Sequence, residues 1–125
     1  MKPILYIIED DQTLSSIYQE AFEKIGFSTI AIRNGQDAIS TFSQKLKKRP
    51  KAILLDLHLP DVSGREILNF LRNDTSYDLV KIVVISADSL QLRLPEIQKK
   101  SNYTVLKPLR YAKLLELGTS ILQAD

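Results

Sequence analysis

The sequence predicts an α/β domain: a doubly wound, five-stranded parallel sheet with helices on both faces. Three observations predict it. Strand-like apolar runs alternate five times with apolar residues at helical spacing. The runs Ile4-Leu5-Tyr6-Ile7-Ile8, Ala52-Ile53-Leu54-Leu55 and Ile82-Val83-Val84-Ile85 are unbroken. Unbroken runs mark strands buried on both faces, as in a parallel sheet. Most of the runs also end in a residue that carries chemistry, and in open α/β sheets ligands bind outside the strand C-termini.

Composition bounds the rest. A chain of 125 residues fits one domain, 1–125, with a sizeable core, and shows no linker, repeat or low-complexity segment. A net charge of +2 is too small to argue for direct nucleic-acid binding. No cysteine is present, and His58 is the single histidine, which excludes disulfides, thiolate metal sites and multi-histidine zinc sites. No apolar run approaches the roughly 20 residues that span a membrane. Met1-Lys2-Pro3 leads straight into a strand pattern and leaves no room for a signal peptide, so a cytoplasmic protein is expected.

Strand β1 is 4–8, followed by Glu9, Asp10 and Asp11. Helix α1 is read from Leu14, Ile17, Tyr18, Ala21, Phe22 and Ile25, with Asp11 or Thr13 as its cap and Gly26 as its stop. A half-buried β2 covers 27–32, and Asn34-Gly35 signals a turn. Ala38, Ile39, Phe42 and Leu46 mark the apolar side of α2. The basic run Lys45, Lys47, Lys48, Arg49 and Lys51 reads as a solvated helix end, since no aromatics interleave with it. Strand β3 is 52–56, and α3 starts near Gly64 and buries Ile67, Leu68 and Leu71.

A loop is expected at 73–76, β4 at 81–86 and β5 at 103–106. The last helix covers 111–122, with Leu114, Leu115, Ile121 and Leu122 inward and Gly118 weakening its middle. Between β4 and β5 the pattern changes: residues 88–94 alternate apolar and polar with a period of two. Pro95 suits a first helical turn and disfavours helix at Leu94. The expectation is a loop or extended piece over 88–94, then a short helix from Pro95, with some of Leu90, Leu92 and Leu94 near the surface; the alternative is one regular helix over 88–101, kinked at Pro95, with all three leucines in the core.

The strand ends carry Glu9 and Asp10 after β1, Asp56 after β3, Ser86 after β4 and Lys107 after β5. Taken singly, the acids read as helix caps, Ser86 as a strand-end hydroxyl and Lys107 as a solvated lysine. Together they bring three carboxylates, a hydroxyl and an ammonium to one sheet edge. Clustered carboxylates repel, and a hard divalent cation relieves that; oxygen donors alone suit Mg²⁺. Lys107 and Ser86 then serve phosphate oxygens. One carboxylate remains as a nucleophile, and carboxylates form covalent phosphoenzymes.

The whole chain resembles the receiver domain of two-component response regulators, in particular the chemotaxis-regulator type. The resemblance rests on Ile8-Glu9-Asp10-Asp11, on Asp56-Leu57-His58-Leu59-Pro60-Asp61-Val62-Ser63-Gly64, on Ile85-Ser86-Ala87 and on Leu106-Lys107-Pro108. It implies a flavodoxin-like fold with strand order 2-1-3-4-5. It implies a phosphoacceptor at Asp56 that takes a phosphoryl group from a phosphohistidine on a sensor kinase or a histidine phosphotransfer protein. Asp10, Asp56 and the His58 backbone carbonyl are the implied Mg²⁺ ligands, with Glu9 as the other acid. Ser86, the Ala87 amide and Lys107 are implied to bind the phosphoryl group, with Thr104 at the switch position and a cis bond before Pro108. His58 and Asp88 are implied to tune phosphoryl lifetime. Such a domain is a signalling acceptor rather than an enzyme, apart from its own phosphotransfer and slow autodephosphorylation.

The chain departs from that family at the switch strand. The usual aromatic position is Thr104, and Tyr103 beside it points to the opposite face. A phosphorylation-independent interaction module of the same fold is therefore the competing reading. The output expected is a downstream protein, or a second copy, on the face formed by β5 and its flanking helices. Because the chain begins at Met1 and no output domain follows Asp125, a single-domain regulator is expected over a receiver cut from a hybrid kinase.

Overall fold

The computed structural model describes residues 1–124. One sheet runs through it in the order β2-β1-β3-β4-β5, every pair parallel. The strands are β1 (Ile4–Ile8), β2 (Ser28–Ile32), β3 (Ala52–Asp56), β4 (Lys81–Ser86) and β5 (Tyr103–Leu106). The helices are α1 (Gln12–Ile25), α2 (Gly35–Ser43), α3 (Gly64–Arg72), α4 (Ser89–Leu92), α5 (Pro95–Lys100) and α6 (Tyr111–Gln123).

Alternate strand residues serve opposite faces. Leu5, Ile7, Leu54, Val83 and Ile85 pack with Tyr18 and Phe22 of α1 and Leu114 and Ile121 of α6. Tyr6, Ile8, Ile53, Leu55 and Val84 pack with Phe42 of α2, with Ile67 and Leu71 of α3, and with Leu92 and Ile97. Two cores on one sheet explain why the central strands read as unbroken apolar runs. The edge strand β2 is largely exposed apart from Ile32, with Ile30 40% exposed, so it is less buried than the sequence pattern implied.

Capping residues set the helix starts. Asp11 Oδ1 accepts from the Leu14 amide at 3.0 Å, and Gly26 at φ 128° ends α1 with its N–H on Phe22 and Glu23 carbonyls. Asn34, anticipated as part of a turn, instead caps α2 by accepting from the Asp37 amide at 2.8 Å. Ser63 caps α3 through the Glu66 amide at 3.2 Å. The loop anticipated at 73–76 contains a 3-10 turn, Thr75–Tyr77, that brings the Tyr77 hydroxyl to the Phe42 carbonyl at 3.1 Å. In the basic run, Arg49 lies over the Tyr77 ring at 4.8 Å and Lys51 donates to the Ala124 carbonyl at 2.9 Å.

The expected loop or extended piece over 88–94 is corrected. Ser89–Leu92 is a single helical turn, because Asp88 Oδ1 accepts from the amides of Leu90 at 2.9 Å and Gln91 at 3.4 Å. Within that turn only Leu92 reaches the core, at 6% exposure, while Leu90 is 67% exposed. Leu94, at φ −59° and ψ 133°, lies outside the helical region, and α5 starts at Pro95, as its proline requires. Among the described residues no helix is long and apolar enough to cross a membrane.

Candidate functional site

The C-terminal strand edge gathers the chemistry. Glu9 follows β1 and Asp56 ends β3; they are 1% and 2% exposed, while Asp10 faces solvent. Lys107, just past β5, donates to Glu9 Oε1 at 2.9 Å and to Asp56 Oδ2 at 3.0 Å. The other oxygen of Asp56, Oδ1, accepts from the His58 amide at 3.0 Å. The second oxygen of Glu9 accepts from the Asp11 amide at 3.2 Å. Each buried carboxylate is thus held by a lysine on one side and a backbone amide on the other, which burial of charge requires.

The loop after β3 is shaped by close approach. Gly64 donates to the Leu57 carbonyl at 3.0 Å, and a Cβ there would sit 2.4 Å from the Asp56 carbonyl oxygen. Only glycine brings α3 this near the strand end. Leu57 donates to the Ile85 carbonyl at 3.0 Å, and Lys107 to the Ser86 carbonyl at 2.8 Å, which extends the ladders past the strand ends. The Lys107–Pro108 bond is cis.

Ser86 is fully buried, and its Oγ accepts from the Asp88 amide at 2.9 Å and lies 3.1 Å from His58 Nε2. The Asp88 carboxylate is turned to the N-terminus of α4. Thr104 stands apart from the carboxylates: it pairs with Val84, and its Oγ1 accepts from Gln98 at 3.4 Å. Ala87 is exposed and, with Leu14, Tyr18, Lys107, Pro108 and Leu109, lines a cavity of about 280 Å³ beside the carboxylates. A larger groove of about 520 Å³ lies between β2 and α2 and is lined by neither Glu9, Asp56 nor Lys107.

Electrostatics follow from burial. Burial pushes the Glu9 carboxyl up to about 7; the Lys107 hydrogen bond pulls against it and the Asp56 charge adds to it. Burial alone would lower Lys107, but hydrogen bonds and charge from Glu9 and Asp56 outweigh it and hold the ammonium above its ordinary value. Burial raises Tyr18 to about 12, so its hydroxyl keeps its proton. One carboxylate oxygen from each of Glu9, Asp10 and Asp56 lies within 4.8 Å of the others, with no nitrogen or sulfur donor in the set. Hard oxygens at that spacing fit a small divalent cation.

Three contacts escaped the sequence reading. The His58–Ser86 contact joins two loops separated by 28 residues. Asp61 accepts from the amides of Gly35 and Gln36, both at 2.8 Å, across to α2. Arg72 donates to the carbonyls of Lys100, Tyr77 and Val80 and to Asn102 Oδ1. Only the Pro60-Asp61 pair gave any local signal, as a turn acid with side-chain oxygens free to accept.

Comparison with known proteins agrees with this geometry. Residues 5–118 match the response regulator receiver domain family. A polar-differentiation response regulator, DivK of Brucella anthropi, is 29% identical over 91 residues, 73% of this chain and 72% of that one. The CheY-like receiver domain of Methylobacillus flagellatus has a TM-score of 0.83 at 27% identity, covering 97% of this chain and 99% of that one. The receiver domain of the sensor histidine kinase PA1611 of Pseudomonas aeruginosa, described with magnesium in its active-site cleft, has a TM-score of 0.84 at 21% identity, covering 99% and 100%. Receiver domains are phosphoacceptor signalling modules, generally not true enzymes, and interact with kinases or phosphotransfer proteins and with downstream targets. With its parallel sheet, its strand-end acids and this match over nearly its whole length, the chain belongs to the response regulator receiver domain family.

Proposed function

We propose that Asp56 is the phosphoacceptor of this receiver domain, spanning 1–125 and working in the cytoplasm. The observation that carries the reading is Lys107, which bridges Glu9 and Asp56 at 2.9 and 3.0 Å with Ser86 buried beside them. Asp10, Asp56 and the His58 carbonyl would hold Mg²⁺, with Glu9 as the further acid of the cluster. When bound, the cation would supply positive charge for the phosphoryl oxygens.

An Asp56 oxygen attacks the phosphorus of a phosphohistidine on a sensor kinase or phosphotransfer protein. The P–N bond breaks and its electron pair returns to the donor imidazole. Lys107 shifts its hydrogen bond from the carboxylate to the new phosphoryl group, and the amides of His58 and Ala87 meet its remaining oxygens. Ser86 turns its hydroxyl to the phosphoryl group and gives up its contact with His58. Its partner segment, residues 87–94, follows, and Thr104 fills the space that Ser86 vacates. His58 and Asp88 flank the path of the water that hydrolyses the acyl phosphate, so they set its lifetime. The output surface is β5 with its flanking helices, where Leu90 and Leu106 are 67% and 50% exposed, fitting a downstream protein or a second copy.

Intact mass after incubation with acetyl phosphate and Mg²⁺ tests the reading. One added phosphoryl group per chain is expected, absent without Mg²⁺ and absent in Asp56→Asn. Undiminished labelling of that variant removes Asp56 from the role. No labelling of the parent chain, with a partner still bound, favours the phosphorylation-independent module.

A further inference from the structure

The loop 57–63 is fastened at both ends by backbone: Leu57 to the Ile85 carbonyl at 3.0 Å, and Gly64 to the Leu57 carbonyl at 3.0 Å. Between those ends two side chains reach a different element through hydrogen bonds: His58, whose Nε2 lies 3.1 Å from Ser86 Oγ, and Asp61, which reaches α2. Asp61 Oδ1 accepts from the Gly35 amide and Oδ2 from the Gln36 amide, both at 2.8 Å. These are the first two N–H groups of α2, which an isolated helix leaves without partners. The next one, on Asp37, is already met by the α2 cap Asn34 at 2.8 Å. Asp61 therefore joins two elements rather than capping its own helix.

The contact is tight on the apolar side as well. A Cβ on Gly35 would lie 2.6 Å from both Cβ and the carbonyl oxygen of Val62, so a glycine is needed for the loop to lie this close. Asp61 is an exposed residue, yet two short charge-assisted hydrogen bonds fix both of its oxygens. The same amides hold its carboxyl below the usual aspartate range.

We propose that Asp61 is a positioning residue: by clamping the loop to α2 it keeps His58 in register with Asp56. His58 lies three residues before Asp61, and its amide donates to Asp56 Oδ1 at 3.0 Å. Its carbonyl is the proposed metal ligand, so the inference rests on that reading of the site. Without the clamp, the hydrogen bonds that fix the segment 58–60 among the described residues are those of His58 alone, its amide on Asp56 Oδ1 at 3.0 Å and its Nε2 3.1 Å from Ser86 Oγ. Outer partners that orient a ligand typically change metal affinity 10–100-fold when removed.

Two readouts on the full chain test it: Mg²⁺ affinity by calorimetry, and amide hydrogen exchange of His58 in the metal-free protein. Asp61→Ala should weaken Mg²⁺ binding about tenfold and speed exchange at His58. Asp61→Asn, which keeps one accepting oxygen, should recover part of both. Asn34→Ala loosens the same end of α2 without touching the loop, and should leave both readouts as in the parent chain. Parent-like values for Asp61→Ala, or an Asn34→Ala effect as large as that of Asp61→Ala, would overturn the proposal. If the parent chain itself binds no Mg²⁺, the metal reading fails; His58 exchange then decides alone, with faster exchange in Asp61→Ala sustaining the clamp and unchanged exchange ending it.

Discussion

Two parts of the same sheet edge are built to different standards. All five residues of β3 are buried, and the loop after it is held by Gly64, Ser63 and Asp61. In β5 only Val105 is buried, and the segment joining it to β4 holds two helices of four and six residues separated by Arg93 and Leu94. Helices that short have no stability of their own and depend on packing. The far end of the segment is nonetheless anchored, because Arg72 donates to the Lys100 carbonyl at 2.8 Å and to Asn102 Oδ1 at 2.9 Å. The side that carries Asp56 is held by close backbone approach at Gly64, whereas residues 87–94 are held by the Asp88 cap, the Asp88 amide on Ser86 Oγ, Gln98 on the Leu92 carbonyl, and the packing of Leu92 and Leu94. The proposed chemistry sits on the first part; the second buries fewer residues, and moving elements are drawn from segments of that kind.

The largest expected effect separates the two parts outright. Asp56→Asn abolishes phosphoryl labelling in intact mass spectrometry, while Leu90→Ala labels fully; loss of label in the leucine variant would erase the distinction. Next comes Gly64→Ala, whose Cβ would stand 2.4 Å from backbone oxygen and 2.5 Å from Leu57 Cα. It should cost about 3 kcal/mol in urea unfolding, because neither contact is a flexible side chain.

A pH effect tests the acceptor side without phosphate. The Glu9 carboxyl titrates near 7 in the folded chain, against 4.5 when unexposed to such burial. The folded chain therefore holds a proton that the unfolded chain has lost, and this stability is full below about 4.5 and declines as pH rises through about 7. Glu9→Gln should flatten that decline in urea unfolding without divalent cation; an unchanged slope assigns it to another group. The smallest effects probe the looser segment. Leu92→Ala should cost about 2 kcal/mol and Leu90→Ala less than about 0.5 kcal/mol, since only the first is buried. Equal costs would mean that the turn packs both leucines, and the segment would lose its claim to be loosely held.

The acceptor side was also the more legible. Asp56, Glu9, Ser86 and Lys107 each close a strand run, so reading the strands placed them on one edge. The segment 88–94 misled because four residues are too few to show a helical period, and the cap that makes them helical is the Asp88 side chain. Asn34-Gly35 misled in a related way: the same pair serves a turn or a helix start, and the helix prevails because Asp61 and Asn34 together satisfy its free amides.

By itself the sequence determined the alternation of elements, the parallel sheet and the strand-end residues, because apolar period and strand termini are properties of neighbouring residues. Tertiary structure decided what depends on residues far apart in the chain. It set Lys107 against Glu9 across 98 positions, His58 against Ser86 across 28, and Asp61 against Gly35 across 26. It also decided the meaning of Gly118, read as a weak point of its helix. A Cβ there would lie 3.1 Å from Phe22 Cδ1 and 3.2 Å from Ile25 Cγ1, so the glycine lets α6 approach α1. Local propensity records what a residue costs its own helix; the gain from close packing lies on a helix about a hundred residues earlier and becomes visible only when the two faces meet.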